Sequence, residues 1–501
     1  MGIYLNPGSK KFQMALNSEI YVDKTEMITY LNRQVETENR FVCVSRPRRF
    51  GKSMAANMIA AFYDRGVNAK EIFKGLKIEN DSTFAKHANL YDVIQINMQD
   101  FLSRTNNIDE LLNGLKKRLL FDLLKEYKDL NYYDSSDLIE TMSDIYAETN
   151  RPFIIVIDEW DCIFREYRDR KDWQEEYLDF LRAWLKDKNY VGLCYMTGIL
   201  PIKKYGTHSA LNMFDEFTMV NPVPLAEYVG FTADEVKALC AKYNVDYEEC
   251  KRWYDGYSQR GFEIYNPESV VKSIEKEAFE SYWSKTSTYA VISDRIKENF
   301  AGTKEDVIRM ISGENVDVDP YTYMNTMTEF RTKDDVFTYL IHLGYLAYDR
   351  MEKNCRIPNK EVLEEWQRAV SIVDEYAVTN KIIKGSKELL AETLRGNEEA
   401  VAAALDMSHI HVTSNRSYNN EDALQSSIYL SYIYALNKYT IVKEMTTGKG
   451  FADVVFIPFV PNIPAMIIEL KRNGTTESAL AQIKEKKYFA SLENYTGEIL
   501  L

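Results

Sequence analysis

Arg46-Pro47-Arg48-Arg49-Phe50-Gly51-Lys52-Ser53 ends in a glycine, an ammonium and a hydroxyl, the groups that together can hold a chain of phosphates. In such a loop successive backbone N–H groups face the phosphate oxygens. The lysine bridges the outer two phosphates, and the hydroxyl ligates magnesium. The stretch fits the end of G-x-x-x-x-G-K-[ST], but Arg46 stands where the first glycine is expected. That glycine usually takes a backbone shape a side chain resists, so a basic turn that merely contains Gly-Lys-Ser is the competing reading. Arg46, Arg48 and Arg49 can contact phosphate or pair with acidic residues across an interface; the sequence does not choose. A second half-site lies downstream, where the apolar run Phe153-Ile154-Ile155-Val156-Ile157 leads directly into Asp158-Glu159. An Asp so placed holds the magnesium shell, and the following Glu orients the attacking water. A strand that stops at a polar turn is the plainer alternative. Thr197 ends the next strand, where it can sense the outermost phosphate or simply form a turn.

A different chemistry is written near the end of the chain. Asp453 lies in Gly450-Phe451-Ala452-Asp453-Val454, and Glu469 and Lys471 lie in Ile467-Ile468-Glu469-Leu470-Lys471. Residues two apart on a strand project to the same face, so Glu469 and Lys471 point together and Asp453 can join them from the preceding strand. Two carboxylates for a hard cation and one ammonium for water suit phosphodiester hydrolysis. The competing reading is a solvated charge pair on an edge strand. Apolar Met466, Ile467, Ile468 and Leu470 around Glu469 weigh against it.

The elements that must position these groups follow from periodicity. Phe41–Val44, Val93–Met98, Phe153–Ile157 and Gly192–Met196 have the length and apolar content of buried strands. Helical patterns separate them at Met54–Tyr63, Ile108–Tyr127, Asp137–Tyr146 and Trp173–Lys186. This alternation predicts an α/β domain with a parallel sheet up to about residue 225. From Glu227 to Trp283 short helices surround a turn-rich insert, Trp253-Tyr254-Asp255-Gly256-Tyr257, and residues 288–404 are mostly helical. A helix at Glu421–Leu436, strands at 440–445, 451–457 and 465–470, and a helix at Ser478–Ala490 complete the chain.

The phosphate loop and the Asp158-Glu159 strand together resemble the bacterial and archaeal AAA-ATPase-like family. Tyr21-Val22-Asp23-Lys24-Thr25, Thr197-Gly198-Ile199 and Trp253-Tyr254-Asp255-Gly256-Tyr257 also look like its signatures, over roughly residues 3–285. In that family the first glycine gives way to this Arg-Pro-Arg-Arg-Phe stretch. The resemblance implies ATP as ligand with magnesium, Lys52 and Ser53 on phosphates and metal, Asp158 on the metal shell, and Glu159 as the hydrolytic carboxylate. From about 405 onward the chain resembles the PD-(D/E)XK nuclease superfamily. Glu421, Asp453 and Glu469-Leu470-Lys471 match its motif in order, with Glu421, Asp453 and Glu469 as metal ligands and Gln482 as a supporting polar residue. Against that pattern, a closing strand is expected to run on past Leu501.

The expected division is an AAA-like P-loop domain at 1–225, a small, mostly helical lid at 226–287, a helical middle region at 288–404, and a nuclease-like α/β domain at 405–501. A net charge of −14, from 62 Lys plus Arg against 76 Asp plus Glu, leaves no global nucleic-acid footprint. DNA or RNA would be met locally through the C-terminal domain. Lys484-Glu485-Lys486-Lys487 is better explained as a solvated face. Six scattered cysteines lack C-x-x-C spacing and are expected as reduced thiols, and His208, His409 and His411 lack metal-ligand companions. Without an apolar leader or a run of roughly 18 apolar residues, no membrane partner is expected and the setting is cytoplasmic. AAA-type relatives assemble, which raises homo-oligomerisation without naming a surface. Three functions compete: an ATP-driven nuclease, a non-enzymatic ATP switch whose C-terminal module only binds, and an interaction protein with decayed sites.

Overall fold

The computed structural model describes residues 2–202, 211–259, 261–283, 289–321, 323, 330–412, 421–447, 450–470, 475–485, 495 and 497–501. The chain divides into two compact units, one of Met1–Trp283 with Asp317–Val362, the other of Ser284–Val316 with Leu363–Leu501. Residues expected to form a single middle region are therefore shared between the two. Periodicity reports helices but not which core they join.

The first unit is built on five parallel strands: β1 (Phe41–Ser45), β2 (Asp92–Asn97), β3 (Phe153–Asp158), β4 (Val191–Gly198) and β5 (Asp215–Phe217). Their spatial order is β2-β3-β4-β1-β5. Every residue of β1, β3 and β4 is buried, as expected for strands covered on both faces. The register sets Asn97 beside Asp158, Asp158 beside Thr197, and Thr197 beside Val44. One row across the carboxyl edge thus collects the ends of four strands, the place where open α/β sheets bind ligands. Strand β5 is too short for the apolar-run criterion and is not anticipated by the sequence.

After β1 the chain enters α1 (Lys52–Tyr63), whose Ala55, Ala56, Ala60 and Ala61 are buried. Small side chains on that face let the helix lie close to the sheet. The helix before β3 begins at Asp137, whose carboxylate accepts from Ile139 N and Glu140 N, and ends at left-handed Asn150. Both are expected cap residues.

The segment after β5 adds a small three-stranded sheet, Phe231–Thr232, Phe262–Tyr265 and Tyr257–Gln259, to the helices predicted there. Strands of two to four residues carry too few side chains to show alternation. Within this sheet's insert Gly256 has φ +110°, and a Cβ on it would lie 2.0 Å from the Pro358 carbonyl oxygen. Gly256→Ala is expected to destabilise this unit by at least about 3 kcal/mol, combining backbone strain with a clash against rigid main chain. Urea unfolding followed by tryptophan fluorescence checks it, and an unshifted midpoint would contradict this account.

The second unit carries helices Ala377–Arg395, Glu398–Val412 and α2 (Glu421–Ser431), then a sheet of β6 (Tyr439–Thr447), β7 (Gly450–Pro458), β8 (Ala465–Ile468) and β9 (Ile499–Leu500). Strands β6 to β8 are antiparallel, whereas β9 runs parallel to β8, with Ala465 beside Ile499. Residues 499–500, in the stretch where a closing strand is expected, lie in this parallel pairing. Val454, Phe456 and Met466 join one core with Leu389 and Tyr432. Val455, Ala465 and Ile467 join a second core with Ile483 of α3 (Thr476–Glu485).

All six cysteines are buried and free. No helix among the described residues is long and apolar enough to cross a membrane.

Candidate functional site

Between β1 and α1 the loop turns through two left-handed residues, Arg49 at φ 70° and Gly51 at φ 91°. Alternation of this kind turns successive N–H groups inward as an anion-binding concavity, and the start of a twelve-residue helix adds further unshared donors. Arg46 is not left-handed, which explains how a side chain is tolerated at the first glycine position. Gly51-Lys52-Ser53, Arg48, Arg49, Phe50 and Glu159 all line one cavity of about 850 Å³, of a size typical for small-molecule sites.

Lys52 is 5% exposed, and its Nζ donates to the Pro47 carbonyl at 2.9 Å. Burial lowers its pKa, opposed by the charges of Glu159, Asp161 and Asp158 in that order. Asp158, at the end of β3, is also 5% exposed and lies near enough to the Ser53 hydroxyl to be influenced by it. Burial raises its carboxyl above the ordinary range. The Ser53 hydroxyl and the Lys52 charge pull it back, while Glu159 pushes it further up. Hydroxyl and carboxylate side by side are hard oxygen donors that fit a small divalent cation. Glu159 adopts a left-handed backbone, φ 54°, and its carboxylate pairs with Arg165.

Two expected contacts are corrected. Arg46 is fully buried and does not line the cavity. Its Nη1 donates to Ser45 O and Phe217 O, both at 2.9 Å, and Nη2 to Leu225 O at 3.5 Å. Burial pushes this guanidinium down to about 10. It braces the loop from behind instead of meeting phosphate. Arg46→Met is expected to cost about 3 kcal/mol, because buried carbonyls lose charged donors; differential scanning fluorimetry reads the loss. Thr197 is also fully buried, and its hydroxyl donates to Val44 O at 2.8 Å, tying β4 to β1. A Thr side chain on a doubly covered strand satisfies its own buried hydroxyl first.

Arg49 combines the two roles the sequence leaves open. It lines the cavity, lies 3.5 Å from Glu268 and donates to the Tyr282 carbonyl. Arg48 is exposed in the same wall. Phe50 is buried with its ring edge-on to Tyr257 at 5.4 Å, so it props the loop. Lys24 joins the cavity wall to the small sheet's helix, reaching Glu235 at 2.5 Å and Glu227 O at 2.6 Å. Arg165 is absent from the sequence reading. Its spacing of four from Asp161 was the available signal.

In the second unit, β7 and β8 pair Val454 with Ile468 and Val455 with Ile467. Continued one step, this register sets Asp453 opposite Glu469, and opposite residues share a face. Asp453 Oδ2 accepts from Leu470 N at 2.6 Å, and Glu469 accepts from Gln482 of α3. Two half-buried carboxylates, each oriented by a neighbour, meet where the motif requires them. Such a pair fits a cation that keeps several waters. Among the described residues no group of three or more His, Cys, Asp and Glu converges as a metal site. Lys471, the Glu421 side chain, His208 and the side chains of His409 and His411 lie outside the described residues.

Residues 8–207 match the family described as Predicted AAA-ATPase, and residues 419–501 the PD-(D/E)XK nuclease superfamily. A curated relative, "Uncharacterized protein in vnfD 5'region" of Azotobacter chroococcum mcd 1, is 22% identical over 93% of this chain and 89% of its own length. Solved structures with some likeness include the Aeropyrum pernix ORC2 protein in ADPNP-ADP complexes, 11% identical. That alignment covers 71% of this chain and 96% of that one, with a TM-score of 0.31. Cdc6p from Pyrobaculum aerophilum is 9% identical over 72% and 93% of the respective chains, with a TM-score of 0.22.

Proposed function

We propose that this chain, a AAA-ATPase-like domain joined to a PD-(D/E)XK superfamily domain, binds and hydrolyses ATP. Its nucleotide state then controls metal-dependent cleavage of DNA or RNA by the second domain, in the cytoplasm. The observation that carries the reading is the gathering of Lys52, Ser53, Asp158 and Glu159, from segments far apart in sequence, at one edge of the parallel sheet.

In this reading the amides of the loop and of the first turn of α1 hold the phosphates, and Lys52 shifts from the Pro47 carbonyl to the outer phosphate oxygens. Ser53 and Asp158 would hold magnesium, which when bound supplies charge neutralisation on the phosphates. Glu159 orients the water and takes its proton as the new oxygen–phosphorus bond forms. The bond from phosphorus to the bridging oxygen breaks, with its electron pair leaving on ADP. In the second domain Asp453 and Glu469 would hold a divalent cation, and Gln482 keeps Glu469 aimed.

Control of one activity by the other requires that ATP-bound and ADP-bound states differ in their preferred arrangements. Titration calorimetry with ATP and magnesium, followed by nucleic-acid cleavage assays in ATP, ADP and no nucleotide, tests the proposal. Expected are saturable heat and cleavage that depends on nucleotide. Absence of binding by folded protein would sink the first half, and equal cleavage in all three states would sink the coupling. Tight binding without phosphate release would favour the non-enzymatic switch.

A further inference from the structure

Arg165 belongs to no motif of the phosphate site, yet its side chain lines the same cavity wall as Lys52, Ser53 and Glu159. It sits in the short helix Cys162–Glu166 that follows β3 and is 11% exposed. Nη2 pairs with the Glu159 carboxylate, and Nε lies 3.2 Å from Asp161 Oδ2. Asp161 is fully buried and accepts from Ile199 N at 3.1 Å and Leu200 N at 2.9 Å, just past the end of β4. The guanidinium is therefore anchored at its root by the sheet edge and engaged at its tip by the residue read as the hydrolytic carboxylate. Lys52 feels both the attraction of Glu159 and the repulsion of Arg165, and all three line the same cavity.

A guanidinium resting on a general base weakens that base, so this pairing suits a resting state. A triphosphate brings several negative charges into the cavity, and an arginine fork matches phosphate oxygens as well as it matches a carboxylate. We propose that Arg165 is the arginine of the hydrolytic site, supplied by the same chain: it leaves Glu159 for the terminal phosphate when ATP binds and stabilises the charge of the transferred phosphoryl group. This rests on the ATPase reading above. The exchange frees Glu159 to receive the water's proton at the moment the cation reaches the phosphate. Anchoring by Asp161 keeps the movement to a swing of the guanidinium. Hydrolysis then needs no arginine from a neighbouring copy.

The test uses the full chain and phosphate release from ATP with magnesium. Arg165→Ala is expected to lower kcat at least about a thousandfold, the low end of the range an arginine of this kind supplies. ATP affinity by calorimetry should change less than about threefold, because the loss falls on the transition state. Arg165→Lys should recover part of kcat. Arg165→Gln, which keeps donors toward Asp161, covers the case in which the alanine variant fails to fold. Mixing Arg165→Ala with Lys52→Ala protein should restore nothing, whereas an arginine acting between copies would rescue activity. An unchanged or raised kcat in folded Arg165→Ala and Arg165→Gln would overturn the proposal, as would rescue on mixing. If wild-type protein binds ATP but releases no phosphate, the ATPase reading itself fails and takes this inference with it.

Discussion

Lys52→Met is expected to reduce phosphate release from ATP by at least about a thousandfold while making the nucleotide-free protein more stable, not less. The two halves of that result have one cause. The Lys52 ammonium is buried, its pKa is lowered chiefly by that burial, and its direct hydrogen-bond partner is a single carbonyl of the loop. Desolvating a cation costs several kcal/mol, and one carbonyl with neighbouring carboxylates repays this incompletely. Methionine fills similar volume without the charge, so the melting temperature should rise by a few degrees, about what 1 kcal/mol produces in a domain of this size. The same change removes the buried group positioned to meet charge developing on the phosphates, and a contact shielded from water is worth most. Lys52→Arg should not rescue turnover, because a planar fork cannot occupy the point an ammonium holds. Scanning fluorimetry with and without ATP reads both effects. Wild type should gain stability on adding nucleotide, and Lys52→Met should start higher and gain little. A variant that melts lower and still responds to ATP would show that Lys52 is a structural residue.

The catalytic half of that prediction could be framed from sequence because the phosphate loop is a local device. Gly51, Lys52 and Ser53 act through the backbone of their own turn, and β3 announces itself by five apolar residues before Asp158. The parallel sheet was legible for the same reason, since strands buried on both faces carry unbroken apolar runs. What stayed hidden depends on partners far along the chain. Arg46 looks like a phosphate ligand until its guanidinium is found on the carbonyls of Phe217 and Leu225. Those carbonyls carry no side-chain signature. Thr197 sits at the right strand end, but its rotamer is decided by Val44 O on a neighbouring strand. Arg165 looks like an ordinary charged helix residue, and only the left-handed turn at Glu159 brings the two together. The division into units was equally unreadable, because residues 317–362 return to the first core while the helices on either side join the second. In the second unit the order of Asp453, Glu469 and Gln482 was legible as a motif. Their meeting on the face toward α3 follows from the β7–β8 register and the Gln482 bond.

Asp453→Asn should abolish nucleic-acid cleavage, by about a thousandfold or more, while leaving the fold of the second unit intact. The choice of asparagine matters. Asp453 accepts the Leu470 N–H at 2.6 Å, and that bond holds the end of β8 against β7. Asparagine keeps an acceptor oxygen for Leu470 and removes only the negative charge a hard cation requires. Alanine would remove both, so its effect could not be divided between chemistry and structure. Glu469→Gln makes the same substitution on the facing strand, and its carbonyl can still accept from Gln482. Gln482→Ala should weaken cleavage more mildly, about 10–100-fold, the usual cost of losing a group that orients a metal ligand. Supercoiled plasmid and single-stranded oligonucleotides, each with magnesium or manganese and with ATP present, provide the assay. Phosphate release measured without nucleic acid should persist in all three variants, because the P-loop residues are untouched. If Asp453→Asn and Glu469→Gln cut as fast as wild type, the two carboxylates do not hold the catalytic cation. If wild type binds these nucleic acids and never cuts them under either metal, the module is a recognition domain. The charge pair would then serve the sheet alone, and double substitution should register in unfolding experiments and nowhere else.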